Sequence, residues 1–204
     1  QKISRRQVGQ KPIFYPGYRE RQAGKARIFQ KIKIQSRKSC GFFIREKTMS
    51  IERVREYFRK LGIEDRVMEI DESSATVALA AKALGCEEGR IAKTISFSLD
   101  GAPILIVTAG DMKIDNAKYK SRFGKKAKML SHEEAAELIG HAVGGVCPFA
   151  VNEGVKIYLD ESLKRFQTVF PACGSSNSMI ELTPAELEEY SKPESWVDVC
   201  KPMA

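Results

Sequence analysis

The feature that most constrains this chain is a pair of apolar, β-branched runs, Ile91 to Leu99 and Pro103 to Ala109, separated by Asp100-Gly101. An Asp-Gly pair takes the positive backbone angles that a two-residue hairpin turn demands, so the two runs are read as antiparallel neighbours. Around them the pattern alternates between helical and extended segments. Ile51, Val54, Phe58 and Leu61 recur at helical spacing, with Gly62 as a stop. Residues 66–70 read as a short strand. Val77, Ala80, Ala81 and Leu84 mark a second amphipathic helix, opened at Ser74 or Thr76 and closed by Gly85. Residues 115–123 read as helix and 127–130 as a short strand. Ser131 with Glu134, and Thr183-Pro184 with Glu186, are capping boxes that open two further helices. Strands are expected at 155–159, 167–171 and 179–182, with an edge strand around Trp196 to Val199.

The hairpin and the short connections predict an α/β (α+β-like) single domain with a central mixed, largely antiparallel sheet flanked by helices. A doubly wound nucleotide-binding fold is excluded, because no Gly-x-Gly-x-x-Gly follows a strand and there is no P-loop.

Charge divides the chain. Residues 1–48 carry 14 Lys/Arg against two acids, Glu20 and Glu46, a net +12, whereas residues 49–204 carry 20 Lys/Arg against 24 Asp/Glu, a net −4. The basic excess therefore belongs to the N-terminal segment. That segment has neither sustained helical periodicity nor strand alternation, so residues 1–48 are expected to be a disordered basic extension and residues 49–204 the domain. A nucleic-acid arm, a transit peptide and translation from a point upstream of Met49 all fit it. The last gains from Arg45-Glu46-Lys47, which purine-only codons can encode, just before Met49. No apolar stretch is long enough for a signal peptide or a membrane span. Five widely spaced cysteines without a Cys-x-x-Cys pair read as reduced thiols, and the expected location is the cytoplasm.

Three features could carry chemistry. Lys93 opens an apolar strand and needs solvent or an anion, because an unpaired buried ammonium is costly. Gly144-Gly145-Val146-Cys147-Pro148 is a Gly-x-x-x-Pro loop whose glycines permit close backbone approach to a ligand, where N–H groups can hold an oxyanion; an ordinary turn fits it too. The loop Cys173-Gly174-Ser175-Ser176-Asn177-Ser178 suits recognition of a small polar group or a plain surface turn.

Taken in order and spacing, Lys93-Thr94 at a strand start, Gly144-Gly145-x-x-Pro148 and the Gly/Ser loop before an apolar strand resemble the YbaK/EbsC family. That family consists of aminoacyl-tRNA deacylases related to the editing domain of bacterial prolyl-tRNA synthetase. The resemblance runs from about Met49 to the end. It implies the YbaK fold and a trans-editing hydrolase that cleaves the ester of a mischarged tRNA bearing a small amino acid, such as Cys- or Ala-tRNA(Pro). It further implies that Lys93 holds the substrate or the tRNA terminus and that backbone amides of the loop at Gly144 and Gly145 grip the aminoacyl carbonyl. Thr76, Thr94, Val146, Cys147, Pro148, Gly174 and Ser175 are implied as substrate-binding residues, with Ile70 where some members carry an aromatic. Water, or attack assisted by the substrate itself, would suffice without a protein nucleophile. Neither a cofactor nor a metal is implied. The partners implied are the aminoacylated 3′ end of tRNA and prolyl-tRNA synthetase, with no membrane.

Other readings stand beside this one. Cys147, with His141 six residues before it, invites a thiol enzyme, which would need a nearby base and a lowered pKa. Cys147, Cys173 and His141 lack the paired spacing of a metal site. The run 113–128 holds seven Lys/Arg and one acid. It is read as a tRNA-contacting patch through Lys118, Lys120, Arg122, Lys125 and Lys126, or as a solvated helix face with Tyr119 and Phe123 inward. The competing function is a non-catalytic module that binds tRNA or an aminoacyl group.

Overall fold

A computed structural model describes residues 50–70, 76–141 and 144–203, all within the unit Phe43–Ala204. The basic segment 1–48, the boundary at Met49 and the helix start at Ser74 lie outside the described residues.

The expected hairpin is the centre of the fold. Strand β2 (Ile91–Leu99) pairs antiparallel with β3 (Ala102–Ala109), in register from Ala92↔Ala109 to Leu99↔Ala102. Asp100 and Gly101 have φ of 51° and 84°, the two positive values of a type I′ turn. From Ile104 to Ala109 every residue of β3 is fully buried, so this strand is covered on both faces. One face packs Leu105 and Val107 against Val54 and Phe58 of helix α1 (residues 50–61) and against Phe149 and Leu159. The opposite face packs Ile104 and Ile106 with Phe97 and Tyr119.

Helix α2 (Val77–Leu84) is capped by Thr76, whose side chain accepts from the Leu79 N–H at 3.3 Å, and it ends at Gly85 in the left-handed region. Helix α3 (Asn116–Phe123) is capped by Asp115, and α4 (His132–Ile139) and α5 (Pro184–Ser191) open on the two expected capping boxes. The remaining strands are β1 (Val67–Glu69), β4 (Met112–Ile114), β5 (Lys156–Asp160), β6 (Phe170–Pro171), β7 (Ser178–Ile180), β8 (Ser195–Val197) and β9 (Cys200–Pro202).

The central sheet is mixed and flanked by helices, in the order β6-β2-β3-β5-β8. Its balance of directions differs from expectation: β2/β3 is antiparallel, but β2/β6, β3/β5 and β5/β8 are parallel. A tight turn can supply only an antiparallel neighbour. The other strands return by long crossovers, α3 and α4 between β3 and β5 and α5 between β5 and β8, and these deliver parallel pairs. Two small antiparallel ribbons, β1/β7 and β4/β9, complete the strands. The expected strand at 127–130 is reduced to a single bridge, Phe97↔Met129.

Candidate functional site

The outer edge of β2 is covered unevenly. Strand β6 pairs with it only at Ile91 and Ala92. Further along, the Ser96 carbonyl accepts from the Leu130 N–H at 3.2 Å, and the Ser98 N–H donates to the Lys128 carbonyl at 2.8 Å. Even-numbered residues of β2 therefore turn their backbone groups away from β3. Thr94 shares that parity, lies in the gap between the two covers, and has no partner strand on its outer side among the described residues. Its Oγ1 is also buried without a hydrogen-bond partner.

A cavity of about 400 Å³ opens at this gap. Its apolar floor comes from α2, the start of β2 and the β6/β7 region: Val77, Ala80, Ile91, Phe170, Ala172 and Met179. Thr76, Lys93, Thr94, Ser96, Ser131 and His132 supply polar groups, Gly144 and Val146 face them, and Met129 lies at the rim. A second hollow, around Asp65, Arg66, Glu181 and Glu186, has three of these four charges engaged: Arg66 pairs with Glu186 at 2.8 Å and Arg90 with Glu181 at 2.8 Å.

Lys93 is half-buried. Its Nζ donates to the carbonyl oxygens of Met112 and Gly110. Burial pushes its pKa down, against the opposing pull of Cys200 and Asp111. Two of the three ammonium donors are thus occupied and one is left for a ligand.

Of the residues singled out from sequence, the cavity brings together Thr76, Lys93, Thr94, Gly144 and Val146. Gly145, Cys147, Pro148, Gly174 and Ser175 lie behind the lining. Gly145 has a packing role: a Cβ there would sit 2.5 Å from the carbonyl carbon and oxygen of Gly174 and 2.7 Å from the Ser175 nitrogen. The two glycine loops therefore touch backbone to backbone. Ser175 spends its hydroxyl within its own loop, Oγ donating to Asn177 Oδ1 at 2.9 Å and lying 2.7 Å from Ser178 Oγ, whose own proton can complete that contact. Ile70 is tied to the same loop, its N–H donating to the Asn177 carbonyl at 2.9 Å, and is not part of the lining.

Cys147 does lie beside His141, with Sγ 3.6 Å from Nε2, but the pair is built for packing. His141 Nε2 is 2.8 Å from the Phe149 carbonyl, which can only accept, so Nε2 carries the proton. Nδ1 then accepts from Ser50 Oγ at 2.6 Å. No lone pair on His141 is free to take the thiol proton. Both residues are fully buried. Burial pushes the thiol up to about 12 and the imidazole down to about 4, the reverse of an activated thiolate. Among the described residues no group of three His, Cys, Asp or Glu side chains could hold a metal ion. No described helix is long and apolar enough to cross a membrane.

The five cations chosen from the basic run are exposed on α3 and the segment after it. Lys118 pairs with Asp198 at 2.7 Å, Lys125 with Asp100 at 3.1 Å, and Arg122 donates to Ser195 Oγ at 3.1 Å. Lys120 and Lys126 have no such partner among the described residues. Exposed pairs of this kind are weak and leave the cations available to a stronger anion. Tyr119 is fully buried and rings with Phe97 and Phe123 at 5.3 and 4.7 Å, so the patch and the packed aromatic face coexist on one helix.

Residues 71–190, more than half of the chain, match the aminoacyl-tRNA editing domain. The chain belongs to that family. The uncharacterized protein YwhH of Bacillus subtilis (strain 168) is 55% identical over 154 residues, covering 75% of this chain and 98% of that protein. The proline--tRNA ligase of Halalkalibacterium halodurans is 32% identical over 104 residues, covering 50% of this chain but only 18% of the ligase. A crystal structure assigned as a candidate trans-editing enzyme for prolyl tRNA synthetase superposes with a TM-score of 0.68 at 30% identity, covering 74% of this chain and 97% of that one. The editing-domain fold, a mixed sheet with flanking helices, is therefore shared.

Part of this cavity has no signal in the sequence. Ala80, Phe170, Met179 and Met129 carry only helix or strand patterns in the sequence, and His132, exposed in the first turn of α4, also reaches the lining. Their common signal is position: all flank the stretch of β2 that no neighbour covers, which only the sheet order reveals.

Proposed function

We propose that this protein is a trans-editing hydrolase that cleaves the ester between a small amino acid and the 3′ end of a mischarged tRNA. Cysteine or alanine on a proline tRNA is the substrate class favoured by its likeness to editing proteins. The observation that carries the reading is Thr94, whose buried hydroxyl lacks a partner and whose backbone groups face an open cavity beside Lys93 and Gly144. Unpartnered polar groups in a partly apolar cavity are costly unless a ligand satisfies them.

The chemistry needs little from the protein. An aminoacyl ester is already activated. Water, positioned with the help of the neighbouring ribose hydroxyl, attacks the carbonyl carbon, the carbonyl oxygen becomes an oxyanion, and the ribose oxygen leaves with a proton. The outward N–H of Thr94 and its buried, unpartnered hydroxyl, with backbone of the loop at Gly144, are the donors assigned to that oxyanion; one such donor is worth about 2.7–4 kcal/mol where measured elsewhere. The remaining donor of Lys93 fixes the carbonyl or the ribose end. The amino-acid side chain rests against Ala80, Ile91, Phe170 and Met179, a floor that favours a small apolar or thiol group over a charged one. Lys118, Lys120, Arg122, Lys125 and Lys126 attract the phosphate backbone.

Lys93→Ala and Thr94→Val test the assignment together. Each is expected to lower the rate constant for deacylation by about a hundredfold or more, while tRNA affinity changes by less than threefold. Loss of affinity with an unchanged rate constant would make these residues anchors only. An unchanged rate and affinity in both variants would remove them from the site.

A further inference from the structure

Met129 is the most exposed large apolar side chain of the described residues, at 65%, and it stands at the rim of the cavity. Its backbone is not a loose loop. The bridge to Phe97, with the bonds from Ser98 to Lys128 and from Leu130 to Ser96, holds residues 128–130 as a strand fragment against β2. Leu130 on that fragment is turned inward, while Met129 is held in solvent. Immediately before it, Lys126 and Lys128 are exposed and without an ion-pair or hydrogen-bonding side-chain partner among the described residues. A polarizable thioether on a rigid backbone at a cavity mouth, preceded by unpaired cations, is complementary to one chemical object: a planar base followed by its phosphates.

We propose that Met129 is the platform for the terminal base of the RNA 3′ end, and that Lys126 and Lys128 hold the phosphates just behind it. This rests on the editing reading and places the substrate's nucleotide end. The aminoacyl group enters the cavity past Thr94, the last base lies on the Met129 side chain at the mouth, and the strand continues over the 126–128 segment toward α3. The subsite is distinct from the α3 cations Lys118, Lys120 and Arg122, which face the duplex further back. Met129 is a positioning residue, since it touches the base and not the reacting ester.

The test is a coupling cycle on the full chain, with binding read by fluorescence anisotropy. The probes are an uncharged RNA hairpin ending in CCA and the same hairpin with an abasic terminal nucleotide. The base and Met129→Ser are each expected to contribute about a 2- to 10-fold change in Kd. Combining them should add no further loss, because both remove the same contact. Losses that multiply, or an abasic hairpin bound as tightly as the intact one by the wild type, would overturn the platform. For Lys126→Ala and Lys128→Ala, the slope of log K against log salt should fall by roughly 0.7–0.9 for each lysine removed; an unchanged slope would overturn the phosphate contacts. The cycle needs no turnover. A coupled Met129 in a protein that deacylates nothing would retire the hydrolase and keep the subsite, whereas an active protein with multiplying losses would do the opposite.

Discussion

Acidification should unfold this domain earlier than its carboxylates require, because of His141. The imidazole is fully buried, bound to Ser50 on one nitrogen and to the Phe149 carbonyl on the other, and burial lowers its pKa from 6.5 to about 4. A lowered folded-state pKa means that between these values the unfolded chain binds a proton that the native state refuses. Stability is therefore fully present above pH 6.5, falls as pH drops through that value, and stops falling near pH 4. At about 1.4 kcal/mol per unit, the full window is worth about 3 kcal/mol, and about 2 kcal/mol is lost by pH 5. That is a large share of a domain's typical net stability of about 5–15 kcal/mol. The assay is urea unfolding at pH 7.5, 6.5, 5.5 and 5.0, followed by the fluorescence of the single tryptophan, Trp196. Carboxylates held low by partners, such as Glu186 at about 2 beside Arg66, act mainly below this range. His141→Asn is the control: less stable at pH 7.5, but with most of the slope between 7.5 and 5.0 removed. A wild-type midpoint that stays flat across the window, or a variant that keeps the full slope, would refute a buried neutral His141.

Three further outcomes follow from the same geometry. Gly145→Ala forces a methyl against the Gly174 backbone, so it should cost about 1–3 kcal/mol in urea unfolding and depress deacylation through the displaced loop. Cys147, buried and with its thiol pushed up to about 12, should resist iodoacetamide in the native protein at pH 7.5, with activity intact; rapid inactivation traced to Cys147 by mass spectrometry would revive a thiol mechanism. Ala80→Val narrows the cavity floor and should shift kcat/KM toward alanyl over larger aminoacyl esters by roughly tenfold or more. An unchanged ratio would move the side-chain subsite elsewhere.

Local signals in this sequence carried far, and they failed where pairing partners decide. Asp100-Gly101, the capping boxes at Ser131 and Thr183, and the stop at Gly85 each act within a few residues, and the structure places each as read. Parallel pairings such as β3/β5 join residues some fifty positions apart and leave no local trace, so the sheet was read as more antiparallel than it is. The three-residue strands β4 and β9 pair across some ninety positions and leave no local trace either. The site divides in the same way. Lys93 and Thr94 stand out as polar residues in an apolar strand, and Gly144 as half of a glycine pair. Met129 looks like an ordinary strand residue until Phe97 is seen opposite it. Gly145 and Gly174 were both read as pocket glycines, and their mutual contact is a fact of tertiary packing.

The hydrolase is tested most directly by deacylation with the full chain of a panel of tRNAs charged with alanine, cysteine, serine, threonine and proline, with Thr94→Val beside it. Selective release of one small amino acid from a proline tRNA is expected, slowed by about a hundredfold or more in the variant. Release of none of them while tRNA remains bound would contradict it, and would leave an editing-domain protein that binds without cleaving.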